Sequence, residues 1–279
     1  MILDCAGKQL DLSRTRVMGI LNVTPDSFSD GGDFISPDRA IYHAEQMLLD
    51  GADIIDVGGE STRPGADAVS EQEELDRVIP VIEALTEKLS TIVSIDTSKS
   101  VVMQEAIGAG AGMINDVMAL QAPGSVAVAQ ELAVPVCLMH MQGQPRTMQN
   151  SPVYDDVVSD ILEFFKQRIA VCTAAGIPGE RLILDPGFGF GKALEHNLML
   201  LARLERFGEP GLPLLVGISR KSMLGTILDG APADDRLYAS LAAAVMAAER
   251  GASIIRVHDV KPTADALKVV TAVKYVACD

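Results

Sequence analysis

Basic side chains are scarce: 23 Lys and Arg stand against 38 Asp and Glu, a formal net charge of -15 over 279 residues. That deficit excludes a general nucleic-acid binder, because a phosphate backbone is held mainly by a basic face. It also argues against docking on anionic membrane surfaces. Cysteine is sparse too. Cys5, Cys137, Cys172 and Cys278 are widely scattered, with no Cys-x-x-Cys pair and no Cys/His cluster at zinc spacing, so they read as reduced thiols. No apolar run approaches the ~18 residues of a membrane span. The richest stretch, 237–248, is mostly Ala and stops at Glu249-Arg250. Met1 to Lys8 carry no basic head followed by an apolar stretch, so a secretory signal is not expected and the chain should be soluble and cytoplasmic. Tryptophan is absent and aromatics make up only 4%, yet 48% of residues are hydrophobic and 22% charged, too apolar for disorder.

What is present is a recurring unit. Short apolar runs end abruptly in polar residues: 17–22, 54–58, 92–96, 113–115, 136–140, 182–185, 214–219 and 254–258. They are β-branched and nearly continuous rather than alternating, as expected of parallel strands buried on both faces. Amphipathic helical stretches fill the intervals, for example Ser70 to Leu89 and Asp155 to Ala175. Gly51-Ala52, Gly110-Ala111 and Gly251-Ala252 each precede an apolar run, which is the chemistry of a helix C-cap leading into a strand. Eight such units in about 250 residues predict an α/β fold, a single-domain (β/α)8 barrel over 1–279. A doubly wound sheet fits less well, since no dinucleotide fingerprint opens the chain. Residues 2–12, with Gly7-Lys8 between Leu3 and Leu10, predict a hairpin at the barrel bottom.

Barrel sites lie at the C-terminal strand ends and on the loops that follow. The polar run-ends Asn22, Asp96, Asn115, His140, Asp185, Ser219, Arg256 and His258 therefore converge on one rim. Any one of them could be a cap or turn residue; it is their convergence that argues for chemistry. Two loops, 22–32 and 56–65, are rich in Gly, Pro and hydroxyl residues and carry Phe28 and Arg63, which suits lids over a ligand. The segment 185–192 is neither a Walker loop nor a dinucleotide fingerprint, and its Phe190 could wall a flat ligand. Lys221, Arg256 and His258, with Arg63, form rim cations in an acidic chain, which suggests a local anion pocket. His140 reads as a hydrogen-bonded support rather than a catalyst.

The motifs Asn22-Val23-Thr24-Pro25-Asp26-Ser27-Phe28-Ser29-Asp30-Gly31-Gly32, Gly58-Gly59-Glu60-Ser61-Thr62-Arg63-Pro64-Gly65, Asp96-Thr97-Ser98-Lys99, Asp185-Pro186-Gly187-Phe188-Gly189-Phe190-Gly191-Lys192, Ser219-Arg220-Lys221-Ser222 and Arg256-Val257-His258-Asp259 resemble those of the bacterial dihydropteroate synthase family. The likeness runs in order from about residue 17 to 270. The resemblance implies condensation of 6-hydroxymethyl-7,8-dihydropterin diphosphate with 4-aminobenzoate to give 7,8-dihydropteroate and diphosphate. It implies that Asp96, Asn115, Asp185 and Lys221 hold the pterin, with Met139 and Phe190 sandwiching the ring. Asn22 would ligate Mg2+ on the diphosphate, and Arg63, Arg256 and His258 would bind its oxygens. Phe28, Thr62, Arg63, Pro64 and Ser219 would shape the aminobenzoate pocket, with Lys221 adjacent. Asp96, Asp185 and Lys221 would carry the catalysis. The 61–64 segment resembles that of sulfonamide-sensitive enzymes.

Two departures from the family pattern stand out: Met118, where many relatives carry a polar or basic residue, and an idiosyncratic loop at 33–37. A pterin-dependent methyltransferase would keep the pterin carboxylates but lack Thr62-Arg63-Pro64 and Ser219-Arg220-Lys221. A non-catalytic pterin-binding homologue should have lost Asn22, Asp96 or Lys221. The 235–250 helix is apolar around most of its circumference, which for an outer barrel helix suggests a second burial surface. A homodimer through the last helices is expected, in agreement with the family resemblance.

Overall fold

A computed structural model describes residues 1–24, 37–61, 68–143, 148 and 152–277. The chain opens with the antiparallel hairpin β1 (Ile2–Cys5) and β2 (Lys8–Asp11). Ala6 and Gly7, at φ 53° and 85°, make its turn, where a tight two-residue hairpin needs positive φ at both positions. Eight parallel strands follow: β3 (Arg16–Asn22), β4 (Ile54–Gly58), β5 (Ile92–Asp96), β6 (Met113–Asp116), β7 (Val136–Met139), β8 (Leu182–Asp185), β9 (Leu215–Val216) and β10 (Ile254–Val257). They pair in the order β8-β7-β6-β5-β4-β3-β10-β9. A parallel bridge between Leu184 and Leu214 joins the two ends, and the Leu184 N–H donates to the Pro213 carbonyl at 2.9 Å. The sheet thus closes into the expected barrel.

The helices are α1 (Pro37–Leu49), α2 (Glu71–Lys88), α3 (Ser100–Gly108), α4 (Ser125–Leu132), α5 (Val157–Ala174), α6 (Leu194–Ala202), α7 (Ser222–Ile227), α8 (Leu237–Glu249) and α9 (Val260–Ala277). Their ends obey local rules. Ser70 accepts from the Glu73 N–H while the Glu73 carboxylate accepts from the Ser70 N–H, a reciprocal cap for α2. Gly51, Gly110 and Gly251 all take positive φ, and the alanine after each donates back five residues, to Met47, Ala106 and Ala247. Gly176 does the same ahead of Ile177, which bonds Cys172.

The seventh apolar run is the exception. It reads as a strand through Ser219, but the strand covers only Leu215–Val216, with a single bridge at Leu214 before it. Beyond them the chain turns: Arg220 sits at φ 58° and the Lys221 N–H donates to the Ile218 carbonyl at 3.2 Å. Apolar content does not encode such a turn.

Strand side chains alternate between helix layer and barrel axis. The axial set begins with Met18, Ile54, Ile92, Met113, Cys137, Ile183, Leu215 and Ile254, packed on Leu3, Cys5 and Leu10 of the hairpin. Each such aliphatic side chain contributes roughly 1.5–3 kcal/mol by leaving water. Two residues on, the same face carries Ile20, Asp56, Ser94, Asn115, Met139, Asp185, Gly217 and Arg256. A further step reaches Asn22, Gly58, Asp96, Ser219 and His258. The barrel therefore changes from oil to polar groups within one pleat.

α8 buries Ser240, Ala243, Ala244, Ala247 and Ala248 but leaves Tyr238 83% exposed. On α9, Val269, Val273, Tyr275 and Val276 are also exposed. Among the described residues, no helix is long and apolar enough to cross a membrane.

Candidate active site

Four strands meet at one ion cluster. From β10, Arg256 donates through Nε to Asp56 Oδ2 on β4 at 2.6 Å and through Nη2 to Asp96 Oδ2 on β5 at 2.7 Å. Asn115, on β6, donates through Nδ2 to the same Asp56 oxygen at 3.1 Å. Register explains the grouping: Asp96 pairs with Asn115 and with Gly58, and Gly58 pairs with Asn22. A Cβ at Gly58 would stand 3.6 Å from both Asn22 Oδ1 and Asp96 Cβ, in ordinary contact, so Gly58 lies between these two rim side chains. Burial pushes the Asp96 carboxyl up to about 7; Arg256 opposes the rise, and Asp56, Glu74 and Asp116 add to it. Asp56 is fully buried and its Oδ1 has no hydrogen-bond partner among the described residues.

A second group faces it. Asp185, at the end of β8, is buried and accepts from the Gly187 N–H at 2.8 Å. Burial raises its pKa, against the Gly187 bond and the charges of Lys221 and Lys192. Lys221 donates to the Phe188 carbonyl, and its ammonium lies 4.1 Å from the centre of the Phe190 ring, a cation–π distance. Burial lowers Lys221 to about 8; Asp185 resists the fall and Arg256 adds to it. Met139 pairs in register with Asp185 on the neighbouring strand.

The remaining rim residues are tied to one another. Ser219 Oγ lies 3.2 Å from the His258 backbone N–H and 3.1 Å from His258 Nδ1. Arg220 holds Asp259 with two nitrogens, at 3.0 and 2.6 Å, and Asp234 with the third at 2.8 Å. It is a brace rather than a rim cation. Glu60 accepts from the Val69 N–H at 3.3 Å and from Lys99, clamping the start of the second loop to its return. Phe28, Thr62, Arg63 and Pro64 lie outside the described residues, as do 25–32 of the first expected lid, 62–65 of the second, and 33–36 of the idiosyncratic loop.

Among the described residues, the expected rim cation Arg256 is already paired with carboxylates. Arg256 spends two nitrogens on carboxylates, because an arginine taken from water demands paired partners. Sequence reading also passed over Asp56 and Lys192. Asp56 sits inside its run rather than at the end, and only its parity with Ile54 and Gly58 marks it as axial. Asp116 was unremarked too; it accepts from Ser98, Met118 and Leu120 and so shapes the loop after β6. Met118 is half-buried there. His140 is buried against Lys192 and the Phe164 ring, the support role read from its position.

Carboxylates, an amide and a lysine around an aromatic wall suit a flat heterocycle rich in hydrogen-bonding edges. The sequence profile described as pterin binding enzyme matches residues 18–258, and the chain belongs to that family. Within it, the chain is 57% identical over 272 residues to the dihydropteroate synthase of Escherichia coli (strain K12), covering 98% of this chain and 96% of the relative. The Yersinia pestis dihydropteroate synthase structure with a sulfonamide drug complex matches at TM-score 0.95 and 57% identity, over 99% of this chain and 100% of that one. Xanthomonas albilineans dihydropteroate synthase with 4-aminobenzoic acid matches at TM-score 0.93 and 51% identity, covering 98% of both chains. The same enzyme in complex with 7,8-dihydropteroate matches at 0.90 and 47%, over 98% of this chain and 99% of that one.

Proposed function

We infer that this chain condenses 6-hydroxymethyl-7,8-dihydropterin diphosphate with 4-aminobenzoate, releasing diphosphate and forming 7,8-dihydropteroate. The observation that carries the reading is the convergence of Asp96, Asn115, Asp185 and Lys221 on the polar end of one barrel, beside Phe190. Two carboxylates and an amide match ring N–H groups and an exocyclic amine. Buried polar recognition of this kind discriminates strongly, because a wrong ligand leaves those groups unpaired. Met139 and Phe190 flank the ring.

The C–O bond between the pterin methylene and diphosphate breaks first, and the electron pair leaves with the diphosphate oxygen. Arg63, Arg256 and His258 bind the departing anion; on Arg256 the nitrogen not committed to Asp56 and Asp96 is Nη1. The methylene cation is delocalised into the dihydropterin, and Asp96 and Asp185 offset its charge. Phe28, Thr62, Arg63, Pro64 and Ser219 shape the aminobenzoate pocket, next to Lys221. The neutral arylamine then attacks the methylene carbon and loses a proton to water, so no strong general base is required.

Among the described residues no group of three His, Cys, Asp or Glu could hold a metal. Asn22, whose amide oxygen lies beside Gly58 and Asp96, would hold a Mg2+ carried on the diphosphate, a hard cation that takes oxygen ligands. Bound so, Mg2+ supplies charge stabilisation to the leaving group. The exposed apolar side chains of α8 and α9, Tyr238, Val269, Val273 and Val276, support a homodimer through the C-terminal helices. The buried free thiols Cys5, Cys137 and Cys172 support a cytoplasmic location.

The direct test is incubation with the pterin diphosphate, Mg2+ and labelled 4-aminobenzoate. Labelled dihydropteroate is the expected product, and its absence with folded protein overturns the reading. Sulfonamides should compete with 4-aminobenzoate in the same assay.

A further inference from the structure

Lys192 is 3% exposed and has no part in the reaction above. Its Nζ lies 3.0 Å from His140 Nδ1, 3.3 Å from the His140 carbonyl and 2.9 Å from the Phe190 carbonyl. The two carbonyls accept from the Lys192 amine, and the tautomer of His140 sets the direction of the third contact. The placement matters because His140 directly follows Met139. One buried side chain thus ties the backbone beside the first wall of the ring slot to the backbone of the second.

The surroundings leave this joint little freedom. The His140 ring is set edge-on to Phe164 at 4.9 Å. Tyr154 donates its hydroxyl to the Gly191 carbonyl at 2.7 Å, and Asn197 accepts from the Gly189 N–H at 2.7 Å. A Cβ at Gly187 would overlap the His140 carbonyl, and one at Gly191 the Gln142 carbonyl, so the loop lies pressed against the end of β7. Burial drives the Lys192 pKa well below that of a free lysine; Asp185 opposes the fall and Lys221 adds to it.

We propose that Lys192 is a positioning residue that sets the gap between Met139 and Phe190, and with it the affinity for the pterin ring. Dispersion contact is steep in distance: a gap widened by about 0.5–1 Å forfeits a quarter to a half of the well. Loss of the amine also leaves two carbonyls without their donor. The inference rests on the pterin reading, and its test separates the two.

The experiment titrates 6-hydroxymethylpterin into folded wild type, Lys192→Met, Phe190→Leu and the double variant by calorimetry. Lys192→Met should weaken binding about tenfold, from the lost donor. In the Phe190→Leu background the same change should cost far less, because the wall it positions is gone. KM for the pterin diphosphate should rise with kcat within about threefold, the mark of lost ground-state positioning. Wild-type affinity in Lys192→Met, or an equal loss in both backgrounds, overturns the proposal. If Lys192→Met fails to fold, Lys192→Gln keeps an amide donor and should show an intermediate loss; unchanged affinity there overturns it equally. Wild type that binds no pterin would defeat the functional reading instead.

Discussion

The two ends of the barrel are built from the same strands and obey opposite rules. At the bottom, Met18, Ile54, Ile92, Met113, Cys137, Ile183, Leu215 and Ile254 meet the hairpin residues Leu3, Cys5 and Leu10 in an apolar plug. At the top, Asp56, Asp96, Asn115 and Arg256 occupy the same face two or four residues later. The bottom has little left to optimise. Its thiols are chemically quiet: burial, with Asp4 adding, pushes Cys5 up to about 12, and Cys137 is also raised. The top keeps carboxylates and cations out of water, where mutual pairing only offsets their desolvation. Stability is thus concentrated where there is no chemistry, and chemistry where stability is sacrificed, as expected of a barrel with a single working face.

The comparison breaks most sharply at Asp96. Asp96→Asn keeps the shape and leaves Arg256 paired with Asp56, so the melting temperature should barely move. Turnover should fall roughly 10²–10³-fold, the usual cost of losing one preorganised electrostatic partner of a developing charge. Near-normal turnover with both substrates would remove Asp96 from the cation-stabilising role.

A pair of stability measurements comes next. Arg256→Met leaves Asp56 and Asp96 without their cation and should cost about 3–5 kcal/mol of unfolding free energy. Ile183→Ala at the bottom should cost about 2–5 kcal/mol by cavity formation. The difference lies in function: the folded fraction of Ile183→Ala should keep wild-type KM values, and Arg256→Met should not. If Ile183→Ala altered KM as strongly, the two ends would not be separable.

The smallest effect is in the pH profile. With Asp96 raised to about 7 and required as the carboxylate, kcat/KM should fall as pH drops through that value. With Lys221 lowered to about 8 and required as the ammonium, it should fall again as pH rises through that value. Residual activity of Asp96→Asn should lack the acid limb. A limb that survives there at the same pH belongs to another group.

Much of this was legible beforehand because strand and helix signals are local. The β-branched runs located seven of the eight barrel strands closely, and the three Gly-Ala joints marked the entrances of β4, β6 and β10. The polar run-ends named Asn22, Asp96, Asn115, Asp185 and Arg256 as rim residues because period-two geometry turns alternate positions to one side. The shortened β9 escaped because a turn at Arg220 overrides the apolar pattern. Asp56 escaped because it ends no run. Lys192 was visible in its motif but not its partners, since nothing local links it to His140, 52 positions earlier.

The amino-acid sequence by itself determined the eightfold repeat, the bottom hairpin and most of the residues that reach the rim, all consequences of side-chain period and of turn and cap chemistry within a few residues. Only the closed barrel decided which of those residues meet. Arg256 and Asp56 stand 200 positions apart, and Arg256 and Asp96 stand 160 apart, yet they share hydrogen bonds because closure brings β10 beside β3 and across from β4 and β5. Charge pairing follows distance in space, and distance in space is set by strand order. For that reason the -15 of the whole chain said so little about the site: Arg256 is matched with two carboxylates contributed from far along the sequence, and Lys221 with a backbone carbonyl.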